Sequence, residues 1–204
     1  MFGADLRGWG FEPNPYNPCV MNKIINDKQC SILWHVDDLK LSHVDNMVTK
    51  VLHMIDKTYC KQAPITTTQE KLHDYLGMVI DYLEDGCVEF TMPNYIYETL
   101  DDLPKEKSKW EAETSAVDHL FSVANKATVL DEHKAKLFHQ VTAKLLFLSK
   151  RTRPDIQLAV VFLCMRAQKP DEDDWKKLGC VLKYLWGSPG VPLLLSIDDK
   201  RIIQ

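Results

Sequence analysis

The chain has 204 residues, of which 45% are hydrophobic and 26% are charged, and its net charge is −4 at pH 7. This length fits one large domain or two small ones, and the composition is that of a soluble globular protein, not a disordered one. A negative net charge argues mildly against a stand-alone nucleic-acid-binding protein.

Membrane and zinc-binding classes are disfavoured by the sequence. No segment approaches the roughly 18 uncharged apolar residues of a membrane span, and the first residues lack the pattern of a signal peptide. The six cysteines include no C-x-x-C pair, so we expect no zinc site. Reduced thiols in an intracellular compartment, the cytoplasm or the nucleus, are the default expectation.

Strand patterns dominate the beginning of the chain. Residues 1–9 have the character of a short helix. Residues 19–24 and 30–36 predict two strands joined by a turn at Asn26-Asp27, and residues 39–43 predict a further partner strand.

A helix and a second hairpin are predicted next. Apolar residues recur at helical spacing over 45–60, with Asp45 at the N-cap. Residues 75–82 and 87–91 predict two strands around an Asp85-Gly86 turn. Pro93 then opens a helix that runs to residue 103, since proline is common in the first turn of a helix.

The second half of the sequence is predicted to be helical. Residues 104–117 lack apolar periodicity and indicate a linker. A helix is predicted over about 131–150, and a second one follows in which 156–165 are apolar nearly all round and should be buried. A third helix, over 171–187, opens with acidic residues and closes at a glycine. Residues 193–197 predict a strand with no partner nearby.

Two adjacent acidic residues, Asp37 and Asp38, separate two of the predicted strands. Such a two-residue connection predicts a tight hairpin. An Asp-Asp turn should cost about 1 kcal/mol or more in backbone strain, because one or both turn residues need a positive φ. Paired carboxylates on such a turn are suited to Mg²⁺, which binds one or two carboxylates together with substrate phosphates. The alternative is a solvated acidic turn.

Basic residues are concentrated near the predicted helix 131–150, where only Asp131 and Glu132 oppose them. They are Lys134, Lys136, Lys144, Lys150, Arg151 and Arg153. These residues form either the solvated face of a helix or a stripe that faces phosphates.

Four sequence blocks, taken in order, carry a family resemblance. The first joins residues 10–20 to Ile-Leu-Trp-His-Val-Asp-Asp-Leu at 32–39, and the second is Tyr-Leu-Gly-Met-Val-Ile at 75–80. The third begins Arg-Pro-Asp-Ile at residue 153, and the fourth is Val-Leu-Lys-Tyr-Leu-Trp-Gly at 181–187. Together they resemble the aromatic-V-D-D core, L-G-I-x-I strand, R-P-D-I helix and L-R-Y-L-x-G helix end of the copia-type retrotransposon reverse transcriptase, an RNA-directed DNA polymerase.

The resemblance implies an α+β fold. Antiparallel β-hairpins with a packed helix would form half of a polymerase palm, and a helical thumb-like region would follow. The implied domains are a partial palm over 1–92, a helical thumb or connection region over 93–187 with a loop at 104–130, and a truncated C-terminal segment over 188–204.

The resemblance also assigns site residues. Asp37 and Asp38 match the catalytic, metal-binding pair of the family, and the implied cofactor is Mg²⁺. Tyr75, Leu76 and Gly77 match the hairpin that holds the primer strand. The alternative for Gly77 is a strand position where two backbones approach closely.

Four basic residues of the implied thumb are assigned to the phosphates of the duplex. They are Lys144, Lys150, Arg151 and Arg153. The implied partners are an RNA/DNA primer–template duplex and other parts of the retrotransposon polyprotein, with no membrane.

Two departures from the family pattern affect the expected activity. His35 stands where the family has tyrosine or phenylalanine, and it either packs as a ring or has a role in proton transfer. The first catalytic aspartate and the fingers of the family lie upstream of the matched blocks, so we expect a fragment that is inactive alone. The alternatives are a non-catalytic remnant that binds nucleic acid or protein, and an unrelated α+β structural domain.

Overall fold

The computed structural model describes residues 2–36, 38–43, 47–61, 65–101, 112–124 and 126–196. Within these ranges the fold is mixed α+β, with six α-helices and two four-stranded antiparallel sheets. No helix in the described ranges is both long and apolar enough to cross a membrane. Two predictions, the Asp45 N-cap and most of the 104–117 linker, fall outside the described residues.

Contacts divide the chain into two compact units, Met1–Gln69 and Glu70–Gln204. The first unit contains, in chain order, α1 (Phe2–Gly8), β1 (Glu12–Pro13), β2 (Val20–Ile25), β3 (Lys28–His35), β4 (Asp38–Ser42) and α2 (Met47–Tyr59). Its sheet has the order β1-β2-β3-β4. The predicted strands, the turn at Asn26-Asp27 and the amphipathic helix are therefore confirmed.

The core of the first unit follows from the alternation of side chains along its strands. Cys30 and Ile32 of β3 are two residues apart, lie on the same face of the sheet and are fully buried. Val51 and Ile55 of α2 are one helical turn apart and are buried in the same cluster, together with Leu6 of α1. One face of the sheet is thus packed on helices.

The second unit combines a sheet with most of the helices. In chain order it contains β5 (Leu72–Tyr75), β6 (Met78–Tyr82), β7 (Val88–Thr91), α3 (Pro93–Asp101), α4 (Glu132–Ser149), a 3-10 turn (Pro154–Ile156), α5 (Gln157–Arg166), α6 (Glu172–Gly187) and β8 (Leu193–Leu195). The sheet order is β5-β6-β7-β8.

Acidic residues cap the starts of two helices in the second unit. The side chain of Asp131 accepts a hydrogen bond from the backbone of Lys134 at the start of α4. At the start of α6, Asp171 and Asp174 form a reciprocal capping box. The helices then bury their apolar faces together, since Val141 and Leu145 of α4 are completely inaccessible to solvent.

Two predictions about the second sheet are wrong. The predicted strand 75–82 is broken into β5 and β6 by a turn at Leu76-Gly77. The C-terminal strand does have a partner, because β8 pairs with β7, which lies about 100 residues earlier in the chain. A local sequence pattern contains no information about a pairing over that distance.

The apolar composition of helix α5 predicts that it is buried on all sides. This prediction is wrong. Ala159, Val160, Phe162 and Leu163 are buried, whereas Leu158 and Met165 are exposed. Burial depends on which neighbouring elements are present to cover a face, and composition alone does not supply that information.

The division of the chain into units differs from the implied domain boundary after residue 92. Strands β5–β7 belong to the same unit as the helices. Met92, directly after β7, is buried in one cluster with Ile96 of α3 and Phe138 of α4, which accounts for the observed grouping. The assignment of residues 1–92 to a palm stays a prediction.

Candidate functional site

The hairpin between β3 and β4 has a register that differs from the predicted one. His35 pairs with Asp38, so the two connecting residues are Val36 and Asp37. Asp38 is the first residue of β4 and is exposed. Asp37 lies outside the described residues. The prediction that Asp37 and Asp38 form the turn is therefore wrong by one position.

Backbone strain at this hairpin is carried by Val36. Its φ is +55°, a left-handed conformation that is a genuine outlier for a β-branched residue. The conformation costs about 1–2 kcal/mol. The side chain gains little from packing, because it is 87% exposed. Strain of this kind persists only where the surrounding structure imposes it, and it is concentrated at functional sites.

The strands that impose this conformation are anchored by aromatic contacts. The Trp34 ring meets Phe2 edge-on at 5.4 Å between centroids, and Phe2 meets Tyr59 of α2 in the same way. The Tyr59 hydroxyl donates a hydrogen bond to Asp5. Burial, followed by this hydrogen bond, raises the pKa of Tyr59 to about 12. The core-facing side of the hairpin is therefore tied to both helices of its unit.

The opposite face of the sheet carries several polar side chains. His35 and Asp38 are cross-strand partners and therefore project from the same face. Farther along that face, Ser31 donates a hydrogen bond to the side chain of Asn22 at 2.7 Å, and Gln29 donates to both residues. The exposed end of this face thus presents an imidazole and a carboxylate side by side.

A complete site for two metal ions is not formed by the described residues. Among them, no group of three or more histidine, cysteine, aspartate or glutamate side chains is arranged to hold a metal ion. Two-metal phosphoryl transfer requires ligands for both ions, and Asp38 with His35 does not meet that requirement. The implied Mg²⁺ stays an expectation from the resemblance.

The predicted primer-strand residues form a second tight turn. Leu76 and Gly77 both have positive φ, +51° and +75°, and they connect the paired residues Tyr75 and Met78. Two left-handed residues in succession are the conformation of a type I′ hairpin turn. Gly77 is consequently a turn residue, and its interpretation as a strand position of close backbone approach is wrong.

The members of the predicted basic stripe differ in their exposure and in the contacts that they make. Lys150 is exposed and Lys144 is half-buried, and the Arg151 guanidinium lies 5.0 Å from the centre of the Phe147 ring. Lys134 forms an ion pair with Glu172 at 3.0 Å.

Arg153 is not part of an accessible phosphate-binding face. Its side chain is 1% exposed, and it donates hydrogen bonds to the Asp155 carboxylate at 2.7 Å and to the Ser188 carbonyl at 2.6 Å. The prediction for Arg153 is therefore wrong, because the side chain joins the start of α5 to the end of α6. Spacing along one helix gives no indication of such a contact.

The carboxylate beside Arg153 is correspondingly perturbed. Burial by itself raises the pKa of Asp155, but hydrogen bonds from Arg153 and Tyr184 outweigh it, and the pKa lies below its ordinary value. The Tyr184 hydroxyl donates to Asp155 at 2.9 Å. This cluster is fully engaged in holding helix ends together.

Sequence reasoning assigned no role to Val36. The one sequence feature that could have indicated a strained residue is the position of Val36 directly before the acidic pair in a short connection. The register of the hairpin, however, decides which residue of that connection is strained. Comparison with known proteins adds no relative, since no family model, curated protein or solved structure matches the chain.

Proposed function

We propose that this chain is part of a copia-type reverse transcriptase, comprising the aspartate-pair hairpin, the primer-strand turn and the helices of the thumb. We propose further that the 204 residues by themselves bind a primer–template duplex but do not extend the primer. The first statement rests on four sequence blocks in the family order, which include Asp37-Asp38 and Tyr75-Leu76-Gly77.

The observation that carries the proposal is the strained hairpin. Val36 has a left-handed φ and an exposed side chain directly before the acidic pair. A β-branched residue in that conformation is unfavourable for stability, so its presence supports a requirement other than folding. Paired carboxylates that bind a divalent cation are suited to phosphoryl chemistry.

The expected lack of polymerisation rests on the ligands that the resemblance assigns. It places metal-binding carboxylates only at Asp37 and Asp38, whereas two-metal transfer needs residues that hold both ions. Primer extension with Mg²⁺ or Mn²⁺ should give no templated product. Template-dependent incorporation that is abolished by Asp37→Asn would overturn this part of the proposal.

Duplex binding is proposed to involve Lys150 and Arg151, near the end of α4. Contacts of lysine and arginine with phosphates make binding independent of sequence and dependent on salt, with a slope of about 0.9 per phosphate neutralised. We expect a dissociation constant no tighter than roughly 10⁻⁶ to 10⁻⁴ M. The double variant Lys150→Glu/Arg151→Glu should bind more weakly and with a shallower salt slope.

The matched control reverses two other exposed lysines. Lys169 and Lys176 are exposed, and the variant Lys169→Glu/Lys176→Glu changes the net charge by a similar amount without altering the end of α4. This control should retain the wild-type salt slope. Equal weakening in both double variants would assign binding to net charge and would contradict a specific role for Lys150 and Arg151.

A further inference from the structure

The two most exposed large hydrophobic side chains of the described residues lie at the same end of the first sheet. Tyr16 is 94% exposed and Val36 is 87% exposed, whereas the next most exposed, Met165, is at 70%. Tyr16 lies in the connection from β1 to β2. The Trp34 amide donates to the Cys19 carbonyl at 3.1 Å, which places the end of that connection beside the strand that leads into the Val36 turn.

The loop that carries Tyr16 is held by its own hydrogen bonds. The Asn14 side chain accepts from the amides of Tyr16 and Asn17 at 2.9 and 3.2 Å. The Asn17 side chain accepts from the Cys19 amide at 2.9 Å. The Asn14 amide donates to the Val20 carbonyl at 2.8 Å.

Prolines restrict the same loop further. Proline fixes φ near −65°, and three prolines lie in or beside the loop, at positions 13, 15 and 18. The backbone is therefore ordered before any partner binds, and a contact made by the Tyr16 ring costs little additional backbone entropy. The arrangement presents an aromatic ring to solvent on a preorganised support.

The charge of this unit indicates which kind of contact it offers. Residues 1–69 contain seven lysine and arginine residues and seven aspartate and glutamate residues, so their net charge is zero. Phosphate attraction is consequently weak here, and Asp38, exposed at the start of β4, adds a carboxylate that repels phosphates. A ring face binds nucleobases by stacking, which tolerates any sequence because every base has a π-face.

We propose that Tyr16 stacks on an unpaired nucleobase of a single-stranded template or primer segment next to the hairpin. This inference rests on the proposed function and adds a contact residue to it. The base must be unpaired, because bases inside a duplex already stack on neighbours on both faces. The contact predicts a contribution to binding that depends on the bases, unlike the phosphate contacts at the end of α4.

The test compares two labelled single strands of about 12 nucleotides, one with bases and one abasic throughout, which has the same phosphates. Fluorescence anisotropy is measured for the full chain and for Tyr16→Ala, Tyr16→Phe and Tyr97→Ala. Tyr97 is the matched control, since it is 47% exposed and lies on α3 in the other unit. A substitution at so exposed a position as Tyr16 should leave stability nearly unchanged.

We expect Tyr16→Ala to weaken binding of the base-bearing strand by about five-fold or more. Tyr16→Phe keeps the ring and should bind like the wild type, and so should Tyr97→Ala. The affinity for the abasic strand should be the same in all four proteins.

Three outcomes would overturn the inference. If Tyr16→Ala binds the base-bearing strand like the wild type, the stacking role fails while the proposed function stands. If Tyr16→Ala weakens both strands equally, the ring does not act on bases. If the wild type binds neither these strands nor a primer–template duplex, the proposed function itself fails, and the stacking role fails with it.

Discussion

In the unit Glu70–Gln204, charged side chains that the helices bury are paired with opposite charges. Arg153 is bonded to Asp155, and Lys177, which is 1% exposed, pairs with Asp173 at 2.9 Å. In the unit Met1–Gln69, by contrast, the hairpin end leaves Val36 strained and solvent-exposed.

The buried ion pairs stabilise the fold, whereas the exposed side chains at the hairpin end are accessible to a binding partner. Removing one partner of a buried ion pair leaves an uncompensated charge and is strongly destabilising. An exposed side chain on a strained turn contributes nothing comparable to stability, and relieving the strain is favourable. We therefore expect substitutions of the buried charges to lower stability and substitutions that relieve the strained turn to raise it.

The largest expected effect is that of Arg153→Ala. It removes the hydrogen bonds to Asp155 and Ser188 and leaves a partly buried carboxylate without its charged partner. The free energy of unfolding should fall by about 3–5 kcal/mol, as measured by urea denaturation. Lys150→Ala, three residues away and exposed, is the control and should change stability by less than about 0.5 kcal/mol. A loss below about 1 kcal/mol for Arg153→Ala would mean that the cluster does not hold the helix ends.

An intermediate effect is expected at Val36, where glycine should relieve the strain. Val36→Gly should be more stable than Val36→Ala by about 1 kcal/mol, because only glycine adopts a positive φ at no steric cost. Amide hydrogen exchange over β3 and β4 measures the local stability. Equal protection in the glycine and alanine variants would show that the left-handed backbone at Val36 carries no strain.

In the other unit, Gly77 allows the opposite test, in which a glycine with positive φ is replaced by alanine. Gly77→Ala should lose about 1 kcal/mol of stability, because its φ is +75°. A clash is not the cause, since an added Cβ would lie 3.8 Å from the Met92 methyl group. Gly190→Ala is the control, at a glycine whose φ is not in the left-handed region, and it should be neutral or slightly stabilising.

The smallest expected effect is a dependence of stability on acid pH. Hydrogen bonds lower the pKa of Asp155, and a hydrogen bond from Lys177 lowers the pKa of Asp173. A carboxylate whose folded pKa is depressed stabilises the fold above its unfolded pKa of about 4, and this contribution is lost as the pH falls through the folded pKa. Urea denaturation should show little change from these groups between about pH 7 and 5 and a loss of stability below about pH 4. Asp155→Asn should reduce that loss, and an unchanged slope would contradict the assignment.

Local patterns in the sequence were sufficient for most elements. The helical spacing of apolar residues predicted α4, the acidic residues that begin at Asp171 predicted the start of α6, and the Asp85-Gly86 turn predicted the hairpin of β6 and β7. Contacts between distant residues were not predictable in this way. The pairing of β8 with β7 and the bond from Arg153 to Ser188 depend on the assembled fold.

The hairpin register shows the same limitation within the candidate site. A turn at Val36-Asp37 pairs Trp34 with Leu39, and a turn at Asp37-Asp38 would pair Trp34 with Leu41. The two registers differ by two residues, so both place Leu39 and Leu41 on the core face. Hydrophobic alternation therefore cannot distinguish them, and the strained position was assigned to the wrong residue.

Photo-crosslinking tests most directly whether the hairpin end of Met1–Gln69 faces nucleic acid. A primer–template with a single-stranded overhang, substituted with a photoreactive base analogue, is irradiated with the full chain, and crosslinked peptides are identified by mass spectrometry. We expect crosslinks in the peptide containing Tyr16 and in the peptide containing Tyr75, Leu76 and Gly77, with the first lost in Tyr16→Ala. Crosslinks confined to α5 and α6, or none at either predicted peptide, would contradict it.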